Sequence, residues 1–190
     1  MGGKQVYQDH SRFKLPKGFR GRNAVYVQLW WIVQSSFFKC SPQVLYPWRR
    51  FLLRLFGAKI GRNVLIRPTV KITYPWKVEI GEYAQIGDGV ELYSLGEIYI
   101  GRHAVVSQGS YVCTGSHDHT QIDFPIFAKK IIIESEVWIS AQCFISPGVT
   151  VGRGAFCLPR SLVTKDIPEG KVVAGHPARV IGDRLPNGNQ

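Results

Sequence analysis

The sequence predicts an all-β solenoid, a three-sided parallel coil of six-residue units, and two observations predict it. The first is a period. From Ile60 onward an aliphatic residue recurs at every sixth position. The triplets are Ile60, Ile66 and Ile72, then Ile80, Ile86 and Leu92, then Ile100, Val106 and Val112. After a break come Ile133, Ile139 and Ile145, then Val151, Cys157 and Val163, and only Cys157 departs from Leu, Ile or Val. The first three triplets start 20 residues apart, eighteen plus a two-residue insertion at a corner. The second observation is that Gly61, Gly81, Gly87, Gly101 and Gly152 each follow an aliphatic position directly. Six residues make one short strand and one turn, and three such units close a coil. The aliphatic residue points inward, where only the neighbouring coils can bury it. Gly, Asn and Asp suit tight corners, and Val, Ile and Thr suit flat faces. An antiparallel sandwich predicts period two within strands and irregular spacing between them, not a sustained period of six.

The chain divides accordingly into an N-terminal region at 1–57, a solenoid at 58–182 carrying a loop at 113–130, and a tail at 183–190. Residues 22–57 lack the hexad and are rich in Trp, Phe, Leu and Arg. Leu45 to Leu55 reads as an amphipathic helix with Gly57 as its stop signal. Trp30, Trp31, Phe37, Phe38 and Trp48 add aromatic surface. These helices are expected to cap the first coil, whose open end would otherwise expose apolar groups. A membrane-surface patch, with the aromatics beside Arg49, Arg50 and Arg54, is the alternative, and a partner surface is the third. The loop arises because Val112 and Ile133 stand 21 residues apart while the repeat resumes in phase, so about 15 residues are extruded. It holds His117, Asp118 and His119. Beyond Val163, Pro and Gly are expected to end the solenoid.

Composition narrows the partners. Hydrophobic residues make up 45% and charged residues 19%, as in a folded chain, and the formal net charge of +11 points to anionic partners. With no Lys/Arg block and no nucleic-acid signature, nucleic acid is not expected. Cys40, Cys113, Cys143 and Cys157 form no CxxC pair and read as reduced, buried small hydrophobes. That fits a reducing, cytoplasmic location, at the inner face of the membrane if the N-terminal patch binds lipid. Met1 to Arg20 lacks the apolar stretch of a signal peptide, and the apolar run Ala24 to Val33 is too short to span a bilayer.

Acid–base chemistry on a hydroxyl needs a group such as His near pH 7. His117 stands where the regular coil gives way to the loop, so a rigid wall would position it. By composition alone, a histidine in such a loop reads first as simply exposed.

Motifs add to this reading. Thr114-Gly115-Ser116-His117, 17 residues after Ile100, resembles the catalytic-histidine stretch of the galactoside, maltose and nodulation-factor acetyltransferases, a group of hexapeptide-repeat enzymes. Glu136-Val137-Trp138-Ile139 resembles the strand whose Trp lines their acceptor and pantetheine channel. Thr164-Lys165-Asp166-Ile167-Pro168 and Pro177-Ala178-Arg179 resemble their coenzyme-A-binding end. The match covers residues 58–182. Leu45 to Lys59, Lys71 to Trp76, Leu92 to Glu97 and Cys113 to His119 are closer still to the O-acetyltransferases of colanic-acid-type exopolysaccharide synthesis.

The resemblance implies a left-handed parallel β-helix and acetyl-CoA as cosubstrate, with no metal. It implies His117 as general base and Asp118, His119, Trp138 and Tyr93 at the acceptor. Trp138, backbone near Ala141 and Pro159, and Thr164, Lys165 and Arg179 would hold the cofactor. It also implies a sugar or lipid-linked oligosaccharide acceptor and a homotrimer with sites between subunits. The chain departs from the pattern at His176 in the final turn, at Gly182 where some relatives carry a cation, with Arg184 the candidate substitute, and at Gly87 near the position of an oxyanion-binding amide. N-acetylation of an amino sugar and serine O-acetylation use the same base. A carbonic-anhydrase-like metal site would need three His ligands, for which His103, His117 and His119 are poorly spaced. A non-catalytic scaffold would not need His117, Trp138 and Thr164-Lys165 together.

Overall fold

A computed structural model describes residues 5–185. Residues 1–4 of the N-terminal region and 186–190 of the expected tail lie outside the described residues. Five full coils stack as a three-sided prism. The first face holds Lys59–Ile60, Val78–Ile80, Ile98–Ile100, Ile131–Ile133 and Thr150–Val151. The second begins with Leu65–Ile66, Gln85–Ile86, Val105–Val106, Trp138–Ile139 and Phe156–Cys157. The third holds Lys71–Ile72, Glu91–Tyr93, Tyr111–Cys113, Phe144–Ile145 and Leu162–Val163. Pairing within these coils is parallel, and the hexad residues are in register. Ile60, Ile80, Ile100, Ile133 and Val151 form one buried column, Ile66, Ile86, Val106, Ile139 and Cys157 a second, and Ile72, Leu92, Val112, Ile145 and Val163 a third. Strands of two or three residues hold only because each has a partner above and below.

The glycines after the aliphatic residues have a different purpose from the expected one. They do not adopt left-handed backbone; they admit the next coil. A Cβ on Gly101 would meet the Ser135 amide nitrogen, with Glu134 C at 2.6 Å and Ser135 Cα at 2.7 Å. Gly101→Ala is therefore expected to destabilise the fold by about 2–3 kcal/mol, seen as a lower thermal midpoint. An unchanged midpoint would mean the coils can separate at no cost. The left-handed corner positions fall two residues later and carry Asn63, Tyr83, His103 and Glu136 at φ of 55°, 60°, 57° and 64°. Tyr83 and His103 stack there, 5.1 Å apart and 3° from parallel.

The solenoid also outlasts Val163. Ile167 bridges to Val151, and Lys171–Gly175 adds to the second face beside Phe156–Cys157. Ala178–Asp183 then folds back antiparallel after a cis His176–Pro177 peptide and finishes that sheet. The extruded segment is a β-hairpin, with Gly115–His117 antiparallel to Ile126–Ala128.

The other end is closed by two helices, α1 (Ala24–Val33), continued by a wider turn at Gln34–Phe38, and α2 (Tyr46–Leu55). Asn23 caps α1 through the Tyr26 N–H, and Gly57, at φ 87°, follows α2 as expected. Trp30, Phe38, Leu52, Leu53 and Phe56 are buried in one core with the coil columns. The polar fit is equally close. Arg54 donates to the Ile60 and Gly61 carbonyls, Arg50 to Val64 O at 2.9 Å, Arg49 Nε to Ile66 O at 2.7 Å, and Trp30 Nε1 to Ile72 O at 2.7 Å. Gln34 accepts the Ile72 N–H at 2.6 Å. The three arginines thus face the first coil, which overturns the reading that placed them beside the aromatics on an outer patch. Of the cysteines, Cys113, Cys143 and Cys157 are buried as expected and Cys40 is exposed. Among the described residues no helix is long and apolar enough to cross a membrane.

Candidate active site

The His117 hairpin is anchored at its root. Thr114, fully buried, donates its hydroxyl to Tyr93 O at 2.6 Å and accepts the Gly96 N–H at 2.8 Å, while its carbonyl accepts the Lys129 N–H at 2.8 Å. A Cβ on Gly115 would lie 2.6 Å from Leu95 Cδ1, so any larger residue there requires the Leu95 side chain to move. His117 ends that strand, half-buried. Its Nδ1 lies 2.8 Å from the Phe124 carbonyl oxygen. A carbonyl only accepts, so Nδ1 carries the proton and the neutral ring presents its lone pair at Nε2. The ring stacks on Phe124 at 4.3 Å and 9°, and Phe13 meets it at 5.7 Å. Phe124 holds this pose at φ 49°, a conformation costing about 1–3 kcal/mol in a bulky residue.

Sequence reasoning missed Phe124 and the N-terminal strap. A backbone carbonyl leaves no compositional trace. Residues 9–13 reach the hairpin from far away in sequence: Asp9 N–H donates to Ile122 O at 2.7 Å, and the His10 ring meets Phe124 edge-on at 5.7 Å.

Asp118 does not orient His117. Its carboxylate accepts from Thr120 N and Oγ1 at 2.9 and 2.6 Å and from Gln121 Nε2 at 2.7 Å, which brings its pKa down to about 2. His119 is exposed on the same turn. Tyr93 lies half-buried one coil below Cys113, and burial raises its pKa.

The second group of predicted residues lies elsewhere. Trp138 points out of the second face, 42% exposed, stacked on Phe156 at 4.5 Å, with its indole N–H donating to Ser107 Oγ at 3.0 Å. Ala141 and Pro159 occupy equivalent corners of successive coils. The Ala141 carbonyl already accepts the Arg160 N–H at 2.9 Å, so its own N–H is the group open to a ligand. Pro159 can offer only its carbonyl. Thr164, Lys165 and Arg179 line one cavity of about 220 Å³ with Asp166 and Ala178. Asp166 is engaged by the Thr150 N–H at 2.7 Å, and among the described residues neither Lys165 nor Arg179 has an ion-pair partner. Two cations in no ion pair, beside one carboxylate held by a backbone N–H, suit a phosphate-bearing ligand. Arg184 cannot join them, because it is bonded to the Glu136 and Gly154 carbonyls. Within one chain the hairpin leaves the end of the third face while Trp138 projects from the second, so the fold does not bring the two together. His103 sits at a third place, the corner after the first face, and among the described residues no three His, Cys, Asp or Glu cluster as metal ligands.

No protein-family model matches the chain. It is 58% identical over 178 residues to an Escherichia coli (strain K12) protein named as a colanic acid biosynthesis acetyltransferase, WcaF, covering 94% of this chain and 98% of that one. The chain belongs to the colanic acid biosynthesis acetyltransferase family. Within that family it is an acyltransferase on a hexapeptide-repeat scaffold. The galactoside O-acetyltransferase of the same organism is 29% identical over 136 residues, 70% of this chain and 67% of its own. A hexapeptide-repeat acetyltransferase from Vibrio cholerae O1 biovar eltor, solved with acetyl coenzyme A, superposes with a TM-score of 0.77 at 22% identity. It covers 87% of this chain and 92% of that one. The solenoid of this colanic acid acetyltransferase family member is accordingly the expected left-handed parallel β-helix.

Proposed function

We propose that the chain transfers the acetyl group of acetyl-CoA to a sugar hydroxyl during exopolysaccharide synthesis, with His117 as general base. The observation that carries this is the Nδ1 bond to the Phe124 carbonyl, which fixes the tautomer and leaves Nε2 to take a proton. Acetyl-CoA supplies the activated thioester. Lys165, Arg179 and Thr164 would hold its phosphate end, and Trp138 with the Ala141 N–H would line the path of its acyl arm. His117 Nε2 accepts the acceptor's hydroxyl proton as the oxygen attacks the thioester carbon. The carbon–sulfur bond then breaks, and the imidazolium returns its proton to the departing thiolate. No covalent enzyme intermediate is needed. Burial raises the pKa of Cys113 and Cys143 and lifts that of Cys157 to about 12, which makes all three poor nucleophiles.

Because His117 and Trp138 leave different faces of successive coils, the complete site is read as lying between subunits of a homotrimer. Residues 58–182 are read as the catalytic unit, closed by residues 1–57. The names of relatives, a galactoside O-acetyltransferase among them, favour a sugar oxygen over a nitrogen acceptor. Acetyl-CoA turnover measured with fucosyl, galactosyl and glucosyl acceptors tests this. CoA release that requires such an acceptor and yields an O-acetyl ester is expected. Transfer only to amino sugars or to serine would replace the proposal.

A further inference from the structure

The helical cap has an outer side that the solenoid does not use. Tyr26 Oη donates to Leu55 O at 3.5 Å and Trp48 Nε1 to Phe37 O at 3.1 Å, so α1 with its following turn runs antiparallel to α2. Val25, Leu29 and Ile32 recur at helical spacing along α1, and Trp48, Phe51 and Leu55 along α2. All six are exposed, Val25 at 79% and Leu55 at 61%, and Phe37 adds a ring at 65%. Two adjacent helices of ten residues each thus carry apolar stripes turned to solvent, more contiguous apolar surface than a chain leaves bare without a use.

The charge around the stripes is one-sided. Between Asp9 and Glu79 there is no acidic residue, and there are 14 Lys or Arg. Arg49, Arg50 and Arg54 are bonded to carbonyls, whereas Lys59, Arg62, Arg67 and Lys71 pair with acids of the next coil. Arg22, just before α1, and Lys39, just after Phe38, bracket the stripe. Both are exposed, and neither is in an ion pair among the described residues.

We infer that this face docks on an anionic lipid surface. The apolar stripes would enter the headgroup boundary, and Arg22 and Lys39 would meet lipid phosphates. A second copy of the chain is a poorer occupant, because two such faces would bring cations together with no carboxylate to meet them. The inference extends the proposed function without resting on it, since docking is read from binding and not from turnover.

The test is co-sedimentation of the full chain with vesicles of phosphatidylglycerol and phosphatidylcholine, beside vesicles of phosphatidylcholine alone. The expected result is binding to the anionic vesicles that weakens with added salt. It should drop about tenfold or more in an Ile32→Glu, Phe51→Glu variant. A neutral Ile32→Ser, Phe51→Ser variant should lose binding in part, and both should keep the wild-type circular dichroism because the positions are exposed. Three results overturn the inference: no binding to either vesicle, equal binding by wild type and both variants, or self-association of the wild type that the same substitutions abolish.

Discussion

His117→Ala is expected to lower acceptor-dependent acetyl transfer by about a hundredfold or more while leaving acetyl-CoA affinity unchanged. The ring makes no contact with the Lys165 and Arg179 cavity of its own chain, so the loss should appear in turnover and not in cosubstrate binding. Asp118→Asn is the matched control. It disturbs the loop brace to Thr120 and Gln121 but removes no group from His117, so its effect should stay within about tenfold. Stopped-time assays of CoA release distinguish the two. Equal rates for wild type and His117→Ala would remove His117 as the base. Equal collapse in both variants would make the loop brace, and not the ring, the sensitive element.

The largest effect on stability is expected at Arg49. Its side chain is fully buried with no carboxylate partner. Besides Ile66 O it donates to Ser41 Oγ at 2.7 Å, Pro42 O at 2.9 Å and Gln43 O at 2.5 Å, and it lies over the Tyr46 ring. Burial pushes its pKa down, yet the ring of acceptors keeps it a cation. Arg49→Ala would leave those oxygens dry and unbonded beside a cavity, a loss of about 3–5 kcal/mol. Arg49→Lys should recover little of it, because an ammonium cannot reach acceptors spread around a planar fork. Urea unfolding measures both. A wild-type midpoint for Arg49→Ala would show that the helices close the coil without it.

These two residues mark what the sequence makes legible. The three inward columns were readable to the residue, because burial at every sixth position is a local pattern and the pairing register follows from it. The loop was readable as an interruption, but its hairpin pairing was not, since Gly115-Ser116-His117 and Ile126-Phe127-Ala128 show no strand alternation. His117 was findable by motif, whereas its orienting partner is a main-chain oxygen that any residue could supply. Arg49, Arg50 and Arg54 misled for a related reason. Next to Trp and Phe on an amphipathic helix they look like an interfacial patch, and nothing local says that their acceptors are carbonyls some 6 to 17 residues on. The glycines were correctly placed at corners and incorrectly explained, because a close approach from the next coil is a contact 15 to 34 residues away.

A stack of parallel rungs has no intrinsic length. Its last rung presents the same row of unspent carbonyls as every rung before it, which is the surface on which fibrils elongate. In this chain Arg49, Arg50 and Arg54 occupy that row at one end, and the reversed strand Ala178–Asp183 borders the second face at the other. The arginines address main-chain oxygens and no side chain of the coil they cover. Such a stopper would fit any rung equally well, so the number of coils can drift by duplication or loss while the molecule remains a discrete particle.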